Sequence, residues 1–153
     1  AAVLSMFLKE PAGWLENKID ACLLLSQCHS RLGQTEEAMA DLTRSFIYSP
    51  PRGEACCALG GLMLEGGRLG DAVYWYERAL ASMPDETSGA FVQKDCYDFL
   101  PLIQLCVCWD RLGDKKKALA YHRQAQALKP QDPSVKANEL YFSSLGLEIS
   151  SEI

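Results

Sequence analysis

The sequence predicts an all-α fold, a right-handed superhelix of stacked antiparallel helical hairpins. Pro50 and Pro84 stand 34 residues apart, and Pro84 and Pro130 stand 46 apart, which is 34 plus an insertion of 12. Aligned on those prolines, Gly33, Gly67 and Gly113 share one position, and Leu25, Leu59 and Leu105 another. Ala38, Ala72 and Ala118 share a third, and Ser45, Ala79 and Ala125 a fourth. A 34-residue period with small residues at set places marks hairpins that stack because none buries its apolar face alone.

Residues 1–9 read as the second helix of a preceding hairpin, and the opening AAVLSMFLKE reads as a cut from a longer protein. The first unit, 12–50, begins with a helix over Ala12–Leu32, for which Pro11 suits the start. Ile19, Cys22, Leu25 and His29 recur at helical steps and make its packed stripe. Gly33 ends that helix. Thr35 starts the next, with Glu36 and Glu37 favouring the positive end of its dipole, and it runs to Tyr48 before Pro50 and Pro51. The second unit, 53–84, pairs helices over Gly53–Glu65 and Leu69–Ser82 across the Gly66-Gly67 turn. Residues 85–96 form the insertion. The third unit, 97–130, pairs helices over Tyr97–Leu112 and Lys115–Leu128, and Pro101 either sits in the first turn or kinks the helix. Asp132-Pro133 starts a capping helix within 132–146, stopped by Gly146, and the tail ISSEI frays. The units, insertion and cap make one domain over 1–153.

Small residues belong where helices cross. Ser26, Gly60 and Cys106 occupy one side of each crossing and Ala38, Ala72 and Ala118 the other. Leu42, Tyr76 and His122, with His29, Met63 and Trp109, fill the spaces between. The histidines are therefore packing residues and poor candidates for catalysis.

Composition narrows the function. The net charge is −5, and the pI near 5.0 argues against nucleic acid as a partner, since phosphate binding needs clustered Lys and Arg. The one basic run, Lys115-Lys116-Lys117, reads as a solvated helix start. No stretch approaches the roughly 20 apolar residues of a membrane span, so no membrane partner is expected. The seven cysteines include no CxxC pair, so no metal or other cofactor is expected. They read as small buried hydrophobes in a reducing compartment, which places the protein in the cytoplasm.

The pattern resembles the tetratricopeptide repeat over residues 19–130. The family has small residues at helix crossings, glycine at the first turn and proline at the end of each 34-residue unit. The departures are the insertion and the missing tryptophan early in each unit, where Cys22, Cys56 and Leu102 stand. A narrower likeness lies in DCYDFLPLIQLCVCWDRLGDKKKALAYHRQAQALKPQDPSVKANELYF, with SPPRGEACCALGGLM and AVYWYERAL beside it. This resembles the repeat region that follows the catalytic domain of bacterial family 2 glycosyltransferases. It implies a parent enzyme that transfers sugar from a nucleotide-sugar. Such an enzyme needs an α/β domain and an Asp-x-Asp pair, and this chain has no such pair and no glycine-rich phosphate loop. No catalytic residue is assigned.

The resemblance implies a concave groove lined by the first helix of each unit. In unit one the register places Asp20, Leu23, Gln27, Ser30 and Arg31 there, and in unit two Glu54, Cys57, Ala58, Gly61, Leu64 and Glu65. In unit three it places Leu100, Ile103, Gln104, Val107, Asp110 and Arg111. Chaperone-binding members of the family grip a C-terminal carboxylate with two asparagines and three basic residues. Leu23, Gln27, Ala58, Leu100 and Gln104 stand at the matching positions, and none is basic or asparagine, so that function is rejected. The apolar floor suits an apolar helix or peptide, or it packs against the insertion or a neighbouring domain. Phe91 and Tyr97 are candidate contacts from the insertion, which either leans over the groove or lengthens the third hairpin by a helical turn. Three roles are expected. One is an interaction module for a protein, its own catalytic domain or a second copy. Another is an accessory presenting acceptor polypeptide or glycan to an attached transferase. The third is a stand-alone adaptor or peptide sensor.

Overall fold

The computed structural model describes residues 1–9, 14–85, 87, 89 and 91–147. Pro11, Ala12 and the ISSEI tail, for which a helix start and fraying are expected, lie outside the described residues. The described residues hold eight α-helices and no strand. They are α1 Ala2–Phe7, α2 Leu15–Arg31, α3 Thr35–Arg44, α4 Gly53–Glu65, α5 Leu69–Leu80, α6 Phe99–Arg111, α7 Lys115–Leu128 and α8 Pro133–Ser144. Helices α2 and α3, α4 and α5, and α6 and α7 form adjacent hairpins, the arrangement expected of a tetratricopeptide-type superhelix.

The period read from the sequence is written in the backbone. Gly33, Gly67 and Gly113 take φ of +72°, +72° and +89°, a left-handed conformation that side chains resist. Each lets the next residue's N–H reach back five residues. Gln34 donates to the His29 carbonyl at 2.9 Å, Arg68 to that of Met63 at 2.8 Å, and Asp114 to that of Trp109 at 2.9 Å. Three identical turns give three hairpins of the same pitch.

Several ends differ from expectation, each for a local reason. Helix α2 starts at Leu15, with Trp14 as its N-cap. Helix α3 ends at Arg44 and tightens into a 3₁₀ turn over Ser45–Ile47, where the Ser45 hydroxyl donates to the Leu42 carbonyl at 2.6 Å. Helix α5 stops at Leu80, and the Ser82 hydroxyl donates to the Arg78 carbonyl. Helix α6 starts at Phe99, not Tyr97, because the Asp98 carboxylate accepts the Phe99 N–H. Pro101 then falls in the first turn, where its missing N–H loses no bond. Asp114 and Asp132 cap α7 and α8 through the N–H groups of Lys117 and Ser134.

The crossings are closed by the small residues. Ala38, Ala72 and Ala118 are fully buried, as are Leu25, Leu59 and Leu105 beside them. Helix α1 lays Leu4, Phe7 and Leu8 against Ala21, Cys22 and Leu25 of α2. Helix α8 closes the other end through Val135 and Phe142, its only buried residues among those described. The basic run is more than a solvated start. Lys115 Nζ donates to Asp110 of α6 and to the Tyr141 hydroxyl of α8, and Lys117 Nζ lies 3.8 Å from the centroid of Trp109.

His122 sits at the position that Leu42 and Tyr76 fill in the other units. It is fully buried, and neither ring nitrogen has a hydrogen-bond partner. Burial holds its pKa below the usual 6.5, with the Arg123 charge adding to the depression and Glu139 opposing it. The unfolded chain therefore takes up a proton near pH 6.5 that the fold refuses, so stability is complete above that pH and falls as pH drops through it. In urea unfolding at pH 7.5 and at pH 5.5, the wild type should lose more stability between the two than His122→Leu. The slope of the difference is at most about 1.4 kcal/mol per pH unit for one proton. Leucine is the apt replacement because Leu42 already fills that place in the first unit.

Candidate functional site

The insertion decides the shape of the concave face. Its described residues do not lengthen α6, and they are fastened to α4. Phe91–Gln93 run without helix, and Lys94–Cys96 make one 3₁₀ turn that lies on α4. Gly53, the first residue of α4, permits the close seat, since a Cβ there would stand 2.9 Å from the Cys96 carbonyl oxygen and 2.9 Å from the Tyr97 ring. Glu54 is the anchor. Its carboxylate accepts the Gln93 N–H at 2.9 Å and the Tyr97 hydroxyl at 2.6 Å. Burial and the bond to Glu54 both push the Tyr97 phenol above its ordinary range. From the far side, Lys129 donates to both carboxylate oxygens of Asp95, at 2.7 and 2.6 Å.

Held this way, the insertion roofs two adjoining cavities. The inner one, about 430 Å³, lies between α2, α4 and the insertion. Its lining includes Asp20, Leu23, Gln27, Glu54, Cys57 and Ala58 from the helices, Phe91, Gln93 and Cys96 from the insertion, and Leu100 from α6. The outer one, about 340 Å³, shares Asp20, Leu23, Glu54 and Phe91 and adds Pro50, Pro51, Arg52, Arg78 and Tyr97. Phe91 borders both and is 81% exposed, so a large apolar ring stands over the groove with little to cover it.

Charge separates the two cavities. The outer one holds both signs, and Arg52 there is tied to Glu16 by a bidentate pair at 2.6 and 2.9 Å. Among the described residues, the inner one has only the carboxylates of Asp20 and Glu54 as charged groups. Burial, then the nearby charge of Glu16, raises the Asp20 pKa above the usual carboxylate value; Arg52 works against this and Glu54 adds to it.

The predicted groove residues divide. Leu23, Gln27, Cys57 and Leu100 line the inner cavity, with Ala58. Gln27, Arg31 and Gly61 border a shallower hollow between α2 and α4 with Ser26, Ala58 and Glu65. Val107, Asp110 and Arg111 lie instead beside α8, in a cavity of about 200 Å³ that includes Tyr141 and Phe142. Ile103 is corrected: it is buried among Phe99, Leu102, Ala125 and Val135, because α8 packs where the register leaves α6 open. Gln104 is half-buried on α6, and Leu64 packs at the edge of the core. Tyr97 is half-buried and spends its hydroxyl on Glu54, so it holds the roof, whereas Phe91 faces the open groove. The Glu16–Arg52 pair had no sequence signal, since a charged residue near a helix start ordinarily faces water. Among the described residues, no group of three or more His, Cys, Asp or Glu could hold a metal ion, and no helix is long and apolar enough to cross a membrane.

A tetratricopeptide repeat is detected at residues 19–46, which cover most of the α2–α3 hairpin. No curated protein matches the chain. The match takes in Leu25, Gly33, Ala38 and Ser45, the recurring positions of the first unit. It suggests a protein–protein interaction module.

Unseating the insertion should open the roof. Glu54→Ala removes the two bonds that its carboxylate accepts, and the Tyr97 hydroxyl loses a charged acceptor, at a cost of about 1–3 kcal/mol. Hydrogen exchange should quicken at Gln93–Tyr97 while α2 and α3 keep their protection.

Proposed function

We propose that this chain is a non-catalytic interaction module whose inner groove holds an apolar segment of a partner polypeptide carrying one basic side chain. The observation that carries this reading is the lining of the inner cavity. Leu23, Leu24, Ala58, Phe91 and Leu100 offer apolar contact, and among the described residues the only charged groups are Asp20 and Glu54. Burial and then like charge raise Asp20, and a lysine or arginine entering between apolar neighbours would offset both by pairing with its carboxylate. A carboxylate-ended ligand would meet two carboxylates and no cation, which again argues against the chaperone-tail function.

The likeness of residues 95–142 to the repeat region of bacterial family 2 glycosyltransferases supports a place beside such a transferase domain. There the groove would hold an acceptor polypeptide or a segment of the catalytic domain. The burial of six of the seven cysteines as small hydrophobes supports the cytoplasm as its compartment.

Selection from a random peptide display library tests the reading. Enriched peptides should share a Lys or Arg flanked by apolar residues. Ala58→Arg, which plants a bulky cation in the cavity, should weaken their binding tenfold or more while the helical circular dichroism is kept. Peptides that bind Ala58→Arg as well as wild type would place the binding surface elsewhere. Enrichment of wholly acidic peptides would overturn the charge assignment.

A further inference from the structure

We propose that Cys57 and Cys96 form a redox-active dithiol, which a small disulfide of the glutathione class oxidises to a bond that locks the insertion onto α4. The inference rests on the placement of two sulfurs, not on the groove's ligand. Cys57 lies on α4 and Cys96 in the 3₁₀ turn of the insertion, 39 residues on. The Cys57 thiol donates to the Cys96 carbonyl oxygen at 3.3 Å, and the Cys96 thiol donates to Gln93 Oε1 at 3.7 Å. Gly53, one turn before Cys57, is what lets the two backbones approach this closely.

Both residues border the inner cavity, so a small oxidant reaches them without unfolding the chain. The other cysteines are not so placed. Cys22, Cys56 and Cys108 are wholly buried and line none of the cavities described above. Cys106 lies under α8, where its sulfur accepts from Asn138, and Cys28 stands half-buried on α2. Cys56 neighbours Cys57 in sequence, but a bond between adjacent residues in a helix would break the helical backbone.

The order of attack follows from the interaction of the two side chains. It lowers the Cys96 pKa and raises that of Cys57, and burial raises Cys57 further. The Cys96 thiolate attacks one sulfur of oxidised glutathione, forming a mixed disulfide and expelling one glutathione thiolate. The Cys57 sulfur then loses its proton, attacks the Cys96 sulfur and expels the second glutathione. Two protein thiols lose two electrons, one glutathione disulfide becomes two glutathione thiols, and the two cysteine protons end on those thiols. The product joins α4 to the roof of the groove by a covalent link parallel to the Glu54 bonds.

The test uses the whole chain, reduced and then incubated with oxidised glutathione under native conditions. Thiols titrated in denaturant should fall from seven by two, with the loss of two hydrogens in intact mass and no retained glutathione. Digestion without reductant should link the peptide holding Cys57 to the one holding Cys96. Cys57→Ser and Cys96→Ser should each abolish the link, and Cys56→Ser and Cys106→Ser should keep it. Cys96→Ser lies in the 3₁₀ turn, off the hairpin helices, and reports the pair even where a serine at Cys57 upsets α4. Seven thiols surviving the incubation, a stable glutathione adduct, or a cross-link that persists in Cys96→Ser would each overturn the assignment.

Discussion

Replacing Gly60 with valine should destabilise the fold by roughly 3 kcal/mol and lower its melting temperature by about 6–12 °C. Gly60 lies buried in α4 at the crossing with α5. A Cβ there would stand 2.8 Å from Cζ of Tyr76 and 2.9 Å from both Cε atoms, nearer than real Cβ contacts come. The clash is with the side of a ring that cannot swing away, because Tyr76 is itself buried in the central core cluster. Valine adds two branched methyl groups to the same space. Helix propensity pulls the other way, since glycine is the poorer helix former by up to about 1 kcal/mol, but overpacking outweighs it. The neighbouring glycine is the control. A Cβ on Gly61 would meet only the Tyr76 hydroxyl oxygen, at 3.8 Å, so Gly61→Ala should be neutral or slightly stabilising. Thermal unfolding of the two variants beside wild type separates sterics from propensity. Equal losses at both positions would sink the explanation.

The same contrast shows how far the sequence could be read. The crossings were legible because a short side chain at a 34-residue interval has a purely steric cause, and Gly60 against Tyr76 is that cause seen directly. The turns were legible because φ of +72° or +89° selects glycine. The roof of the groove was not. Its fastening joins Glu54 to Tyr97 across 43 residues and Lys129 to Asp95 across 34, and no local periodicity records such pairs. Ile103 was misplaced for a related reason. The repeat register describes one unit against the next, but the last unit meets the capping helix, whose Val135 covers that face. The groove floor was legible through Leu23, Cys57 and Leu100 and its charge through Asp20 and Glu54, which the register places there and the structure brings to one cavity.

Phe142→Ala should cost about 3–5 kcal/mol, and the damage should begin at the C-terminal end. Phe142 is wholly buried among Cys106, Ala118 and the half-buried Trp109, Leu119 and Tyr121. The small residues at the α6–α7 crossing leave a slot, and the phenyl ring fills it. Since Val135 is the only other buried residue of α8, deleting the ring removes about half of what attaches the helix. The exposed Leu140, on the same helix, supplies the comparison, and its alanine variant should stay within about 0.5 kcal/mol of wild type. Hydrogen exchange should show α8 losing protection first in Phe142→Ala, with α2–α5 retaining theirs. A second consequence links this site to the buried histidine. The His122 ring centroid lies 5.5 Å from that of Phe142, so removing the ring lets water reach the imidazole. Burial is the main cause of the depressed His122 pKa, and relieving it should return the pKa toward 6.5. The variant should therefore be less stable at neutral pH and yet lose less further stability than wild type between pH 7.5 and pH 5.5. If the acid sensitivity is unchanged in Phe142→Ala, water has not replaced the ring and the desolvation account of His122 fails.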